Sequence, residues 1–145
     1  MEGPFHHLAQ VNVARMRASL DDPLMHGFTS RIAEINQLAE SSEGFVWRWN
    51  DSDSGPFNAP DLLFNLSVWE SVDALRAYVY RGPHVGLFRD RADWFLPFHG
   101  PSLALWWVPA GHQPTPSESN ERLVYLMKNG PTPFAFTFKR SFPFP

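Results

Sequence analysis

LLFNLSVWESVDALRAYVY, Leu62–Tyr80, carries a strand and a helix in direct succession. Leu62–Ser71 is rich in branched and aromatic residues and reads as a strand. Ser71 is placed to cap a helix, and Val72, Leu75 and Val79 recur at helical spacing behind it. Gly82-Pro83 breaks that helix. A second helical piece is expected to run to about Phe95, with His84, Phe88 and Phe95 close to one face.

The flanks complete the pattern. In HLAQVNVARM (His7–Met16), Leu8, Gln10, Asn12 and Ala14 alternate with Ala9, Val11 and Val13, the period of a strand. Asp21-Asp22-Pro23 is a helix start, and Leu24, Phe28, Ile32, Ile35 and Leu38 predict an amphipathic helix over Leu24–Ser41. GFVWRWN (Gly44–Asn50) predicts a second strand, with Phe45, Trp47 and Trp49 on one face and Val46 and Arg48 on the other. Residues 51–60 form a polar loop of turn residues.

Beyond the opening stretch, Ser102–Gly111 predicts a further strand, which sends Trp106 and Trp107 to opposite faces. Thr115-Pro-Ser-Glu118 matches a capping box ahead of a helix over Ser117–Lys128, and Asn129-Gly130 ends it. Pro133–Arg140 predicts a last strand, with Phe134, Phe136 and Phe138 on one face.

The order is β-α-β-β-α-β with a short helix and a terminal strand. That is an α+β chain in the ferredoxin-like order, with an antiparallel sheet and both main helices on one face. The other face is then open and apolar, and a second copy of the chain is its expected cover, giving a homodimer. A single domain spans residues 1–145.

Composition narrows the function classes. Hydrophobic residues make up 43% and charged residues 19%, which suits a packed core. The formal net charge of −3 offers no basic footprint for nucleic acid. The longest apolar runs are too short to span a bilayer, and MEGPFHH lacks the pattern of a secretory leader. No cysteine is present, so thiolate chemistry and Cys-ligated metals are excluded. A cytoplasmic location is expected. Aromatics reach 15%, which suits an aromatic-lined cavity or a filled aromatic core.

The stretches LAQVNVARMR, GFVWRW, NLSVWESVDALRAYVYRGPH, RADWF, LALWWVPAGHQPT and GPTPFAFTF cover nearly the whole chain. They resemble a bacterial domain-of-unknown-function family within the dimeric α/β-barrel superfamily, which also holds antibiotic-biosynthesis monooxygenases and haem-degrading monooxygenases. The resemblance implies a homodimeric α/β barrel. The functions it leaves open are a cofactor-free oxygenase acting on an aromatic or polyketide-like substrate, a non-catalytic module that holds haem or another planar ligand, and a dimeric structural or regulatory protein with a filled core.

Candidate site residues follow from both lines of reasoning. His84 stands at a helix start, where the positive end of the dipole favours neutral imidazole, so it is a candidate base or axial ligand. Asn12 lies mid-strand, where Asn is disfavoured without a polar task. In the haem-degrading relatives an Asn on the first strand, a helical Trp and a His carry the chemistry. Asn12 and His84 stand at two of these places and Tyr78 at the third, which departs from haem degradation. Tyr78 joins the candidate catalytic set as a phenol that donates or stacks. Trp69, Trp107 and Trp94 are candidate substrate contacts. Arg91 is a candidate for a carboxylate or propionate. The remaining histidines show no metal spacing, and there is no phosphate loop, nucleophile elbow or dinucleotide fingerprint.

Overall fold

The computed structural model of the chain describes residues 5–49, 62–81, 91–97 and 100–144. In chain order the elements are β1 (His6–Met16), a 3-10 turn (Pro23–Met25), α1 (His26–Thr29), α2 (Ile32–Glu40), β2 (Phe45–Arg48) and β3 (Leu62–Trp69). Then follow α3 (Val72–Arg81), a second 3-10 turn (Arg91–Asp93), β4 (Phe95–Leu96), β5 (Leu103–Pro109) and α4 (Pro116–Asn129).

The architecture is α+β around one antiparallel sheet of five strands. β1 is its centre. β3 pairs along one edge of β1, and β2 lies outside β3. β5 pairs with the first half of the other edge, and β4 meets that edge at Arg15 and Met16. A central strand is covered on both faces, and Leu8, Ala9, Gln10 and Val11 are all buried.

Alternation along β1 divides the core in two. Ala9, Val11 and Val13 pack with Leu66, Val68, Trp106 and Val108 on one face. Leu8 packs with Trp69, Leu75, Leu105 and Phe136 on the other, against α3 and Ala39 of α2. Trp106 and Trp107 therefore part to opposite faces, as the strand period requires.

Several sequence expectations are corrected. The face opposite α2 and α3 is not bare, because α4 lies on it and buries Leu123 and Leu126 beside Trp106 and Val108. The expected continuous helix over Leu24–Ser41 breaks at Ser30–Arg31. There Thr29 and Ser30 hydroxyls turn back to the carbonyls of His26 and Gly27, and the Arg31 N–H folds back to Phe28 O at 2.9 Å. Residues 82–90 lie outside the described residues. The rest of the expected second helical piece is one 3-10 turn followed by β4, which pairs with β1.

The expected strand Pro133–Arg140 makes only isolated bridges. Leu105 and Phe136 exchange two backbone bonds of 2.8 Å, so the tail closes the β5 edge. A turn at Thr132–Ala135 splits its aromatics: Phe134 packs with the α4 face, Phe136 and Phe138 with the α3 face.

β2 also departs from strict alternation. Phe45 pairs with Trp69 and Trp47 with the next residue back, Val68, so Val46 is an inserted bulge residue. Phe45 then faces α3, while Trp47 and Trp49 face α4's side. The expected single aromatic face of β2 does not form.

α4 starts as its sequence predicts. Thr115 Oγ1 accepts from the Glu118 N–H at 3.1 Å, and Pro116 occupies the first turn. The reciprocal half of the capping box is missing because Glu118 is used elsewhere. Its Oε2 accepts from the buried Trp106 indole N–H at 2.9 Å, and its Oε1 meets His112 Nε2 at 2.7 Å.

Candidate functional site

On the α3 face the sheet register lines up three rows. Phe45, Trp69, Leu8 and Trp107 form the first. Arg48, Ser67, Gln10 and Leu105 form the second. Asn65, Asn12 and Leu103 form the third. Two apolar strands thus carry polar residues at alternate positions, Gln10 with Asn12 and Asn65 with Ser67. Alternation aims all four at the same side.

These side chains form one connected network. The Gln10 amide nitrogen donates to Asn65 Oδ1 and to Ser67 Oγ, both at 2.7 Å. Asn12 Nδ2 donates to Gln10 Oε1 at 3.1 Å. The Trp69 indole N–H donates to Ser67 Oγ at 2.8 Å. Gln10 is 3% exposed and Ser67 5%, while Asn65 reaches solvent, so the network runs from the surface into the core. Burying amides and a hydroxyl on an apolar face is costly unless they bond one another, and these do.

Hydrogen-bond valence shows what the network has left over. Ser67 Oγ already accepts twice, from Gln10 and from Trp69. A hydroxyl has two acceptor lone pairs and one proton, so the Ser67 O–H remains as a donor.

The network opens into a cavity of about 50 Å³. Gln10, Asn12, Asn65 and Ser67 line it from the sheet, Trp69 and Tyr78 give it aromatic walls, and Ile35, Asn36 and Ala39 of α2 close it. Tyr78 stacks on Trp69, with centroids 5.2 Å apart and planes at 29°. Its hydroxyl donates to Ile35 O at 3.4 Å. Burial pushes the Tyr78 phenol up to about 12, so it stays protonated at neutral pH and acts as a donor rather than a base. α2 has no fully buried side chain, which makes it the least firmly packed wall.

The sequence matches the family described as Domain of unknown function (DUF3291) over residues 7–145. The chain belongs to that family. No curated protein matches it. Among solved structures, the DUF3291 chain is similar to SnoaB, a cofactor-independent oxygenase from Streptomyces nogalater. The identity is 14%, over 74% of this chain and 95% of that one, with a TM-score of 0.47. It is also similar to the NE2512 protein of unknown function from Nitrosomonas europaea. Here the identity is 13%, over 78% of this chain and 97% of that one, with a TM-score of 0.49. Neither likeness carries an activity to the DUF3291 chain.

Of the residues that sequence reasoning selected, Asn12, Tyr78 and Trp69 come together in the cavity wall. His84 lies outside the described residues. Trp107 shares the α3 face but sits toward the tail, its indole N–H donating to Phe142 O at 2.7 Å. Trp94 is buried in a separate cluster with Met16, Met25 and Phe28. Arg91 stands in the exposed turn before Trp94. Ser67, Asn65, Gln10 and Arg48 were missed as site residues. The signal for the first three was present, since two polar pairs at period two in otherwise apolar strands need a common partner.

None of the described lining residues is a His, Met or Cys that could ligate haem iron, and His84, the candidate axial ligand, lies outside the described residues. As it stands the cavity, at about 50 Å³, is well short of the roughly 300–1,000 Å³ that holds a drug-sized ligand, so any larger ligand requires a wall to move. Among the described residues no group of His, Asp and Glu is arranged to hold a metal ion, and no helix is long and apolar enough to cross a membrane.

Proposed function

We propose that this DUF3291 protein is a small-molecule enzyme of the cofactor-free oxygenase type, acting on an enolisable aromatic substrate at the cavity between the sheet and α2–α3. The observation that carries the reading is the connected polar network of Gln10, Asn12, Asn65 and Ser67, buried at Gln10 and Ser67, beside the Trp69–Tyr78 stack. Mutual hydrogen bonds offset the cost of placing these polar side chains on an apolar sheet face, and the donors left over suit a ligand's oxygen. As it stands the cavity takes a polar head group of a few atoms, and the loosely packed α2 moves outward to admit the aromatic body.

In this reading His84 removes a proton from the substrate's activated C–H. The resulting enolate oxygen is held by the Ser67 hydroxyl and the Asn12 amide, with the flat ring on Trp69. The carbanion passes electrons to dioxygen and a C–O bond forms. The hydroperoxide then loses water, so a CH₂ and O₂ become a C=O and H₂O. Water exclusion by Trp69, Tyr78 and Leu75 protects the carbanion from reprotonation.

The fold enters the proposal too. We read the antiparallel order β2-β3-β1-β5 as a ferredoxin-like plan. We place a homodimer contact at the β2–β3 end of the α4 face. There Trp47, Trp49 and Phe64 are only partly covered, and the buried Trp49 indole N–H has no acceptor among the described residues. Sedimentation equilibrium tests the dimer, and a monomer at micromolar concentration removes it.

The test of function is oxygen uptake with a panel of phenols and quinols. One equivalent of oxygen per substrate is expected, falling about 100-fold or more in His84→Ala and in Asn12→Ala. Absence of protein-dependent uptake across the panel, or full turnover in both variants, overturns the reading.

A further inference from the structure

Arg48 is the one charged side chain among the described residues that line the cavity. It sits in the same row as Ser67 and Gln10, directly opposite Ser67. Its Nε donates to Glu40 Oε2 at 2.7 Å, and Nη1 reaches Trp49 O at 3.5 Å. A guanidinium has five N–H groups, so three find no acceptor among the described residues. The adjacent Ser67 O–H is a donor in surplus as well. The unused capacity at this end of the cavity is therefore donor-rich, and its one cation is matched only by the more exposed Glu40, which suits an anionic oxygen that displaces it.

Glu40 already shows what the site holds. It is a carboxylate supplied by the chain itself, at the C-terminal end of α2. Its side chain is 49% exposed against 21% for Arg48, so the pair sits at the mouth, with the guanidinium as the inner member. An exposed single pair is a weak tie, and exchange for another carboxylate is easy. The exchange would also free the C-terminal end of α2, the wall that must move to admit a larger ligand.

We propose that Arg48 is the anion-binding residue of this cavity, and that the ligand is a planar aromatic carboxylate whose carboxyl group takes the place of Glu40 on the guanidinium. The proposal rests on the cavity being the ligand site and adds the charge class of what enters it.

The experiment is a titration of the full chain with benzoate, and in parallel with uncharged benzamide, followed by ¹⁵N-NMR of the indole and guanidinium N–H groups. Benzoate is expected to bind saturably and to shift the Trp69 indole and Arg48 Nε resonances, with benzamide about tenfold weaker. Arg48→Met should weaken benzoate about tenfold or more. Glu40→Gln, an exposed change that leaves the sheet intact, should tighten benzoate about threefold by removing the internal competitor. Equal binding of the two probes, unchanged affinity in Arg48→Met, or no tightening in Glu40→Gln overturns the proposal. Because no turnover is read, a catalytic failure in the oxygen assay and a failure of Arg48 here are told apart.

Discussion

Ser67→Ala separates hydrogen-bond accounting from burial accounting at the centre of the site. The change removes one oxygen and leaves the backbone free to keep its strand. Judged by apolar area alone, it should be neutral or slightly stabilising. Judged by hydrogen bonds, it strands two donors at once. Trp69 is 1% exposed and loses the acceptor of its indole N–H, and Gln10 loses one of the two close acceptors of its amide, keeping Asn65 Oδ1 at 2.7 Å and a long contact to Asn65 O at 3.5 Å. Each orphaned buried donor costs about 1–3 kcal/mol. A water entering the adjoining cavity satisfies one of them, so a net loss of about 1–3 kcal/mol is expected. For a chain of this size that lowers Tm by about 3–11 °C. Urea unfolding followed by far-ultraviolet circular dichroism measures it, with an unchanged m-value showing that only stability moved. Trp69→Phe then completes a cycle. Combined with Ser67→Ala it removes a stranded N–H as well as packing, so it should cost about 1–2 kcal/mol less than in the wild type. A Ser67→Ala loss below about 0.5 kcal/mol with an additive cycle would refute the network as a stabilising unit.

Tyr78 has its pKa raised to about 12 by burial, so the native state resists ionisation that the unfolded chain undergoes near 10. Its contribution is full below pH 10 and is lost as pH rises through 12. The loss is at most about 2.7 kcal/mol and nearer 1–2 after allowance for partial exposure, and urea titrations from pH 8 to 12 should show it in wild type but not in Tyr78→Phe. Gly44→Ala should cost more than about 2 kcal/mol. Gly44 has φ +84°, and a Cβ there would clash with Ala74 Cβ on α3, so calorimetry showing an unchanged Tm would contradict the close approach of that turn to the helix. Glu118→Ala should lose about 1–3 kcal/mol by stranding the Trp106 indole N–H, while Glu118→Gln keeps an acceptor and most of the stability; equal losses in thermal melts would show that the carboxylate charge, not the acceptor, matters.

Much of the α+β framework was legible because its signals are local. The alternation in His7–Met16, the Ser71 and Thr115 starts and the Gly130 stop each depend on neighbours within one turn or one strand. Elements that depend on partners far along the chain were misread. Phe95 looked helical by spacing, yet β4 exists because Met16 offers it a strand edge. Pro133–Arg140 had the aromatic period of a strand, but its pairing partner is only the short outer edge of β5. In the site, Asn12, Tyr78 and Trp69 were found because polar or aromatic residues at those places need a reason. Gln10 and Ser67 were passed over singly, and only the register that sets them opposite each other shows that they act together.

The bulge at Val46 explains why Arg48 was assigned to the wrong partners. Read by alternation, Arg48 shares a face with Val46 and stands opposite Phe45, Trp47 and Trp49. In the sheet, Val46 is the unpaired extra residue, 38% exposed, and the phase of β2 shifts by one across it. Phe45 and Arg48 then fall on the same face, three positions apart. Phe45 meets Trp69 edge-on at 5.4 Å, and the guanidinium reaches the cavity beside Ser67. A period-two reading carries no information about phase shifts, since the inserted residue is as branched and apolar as a strand residue should be. Only pairing with β3 fixes the phase, and so the one cation of the described cavity wall was visible in the sequence as a residue but not as a neighbour of the site.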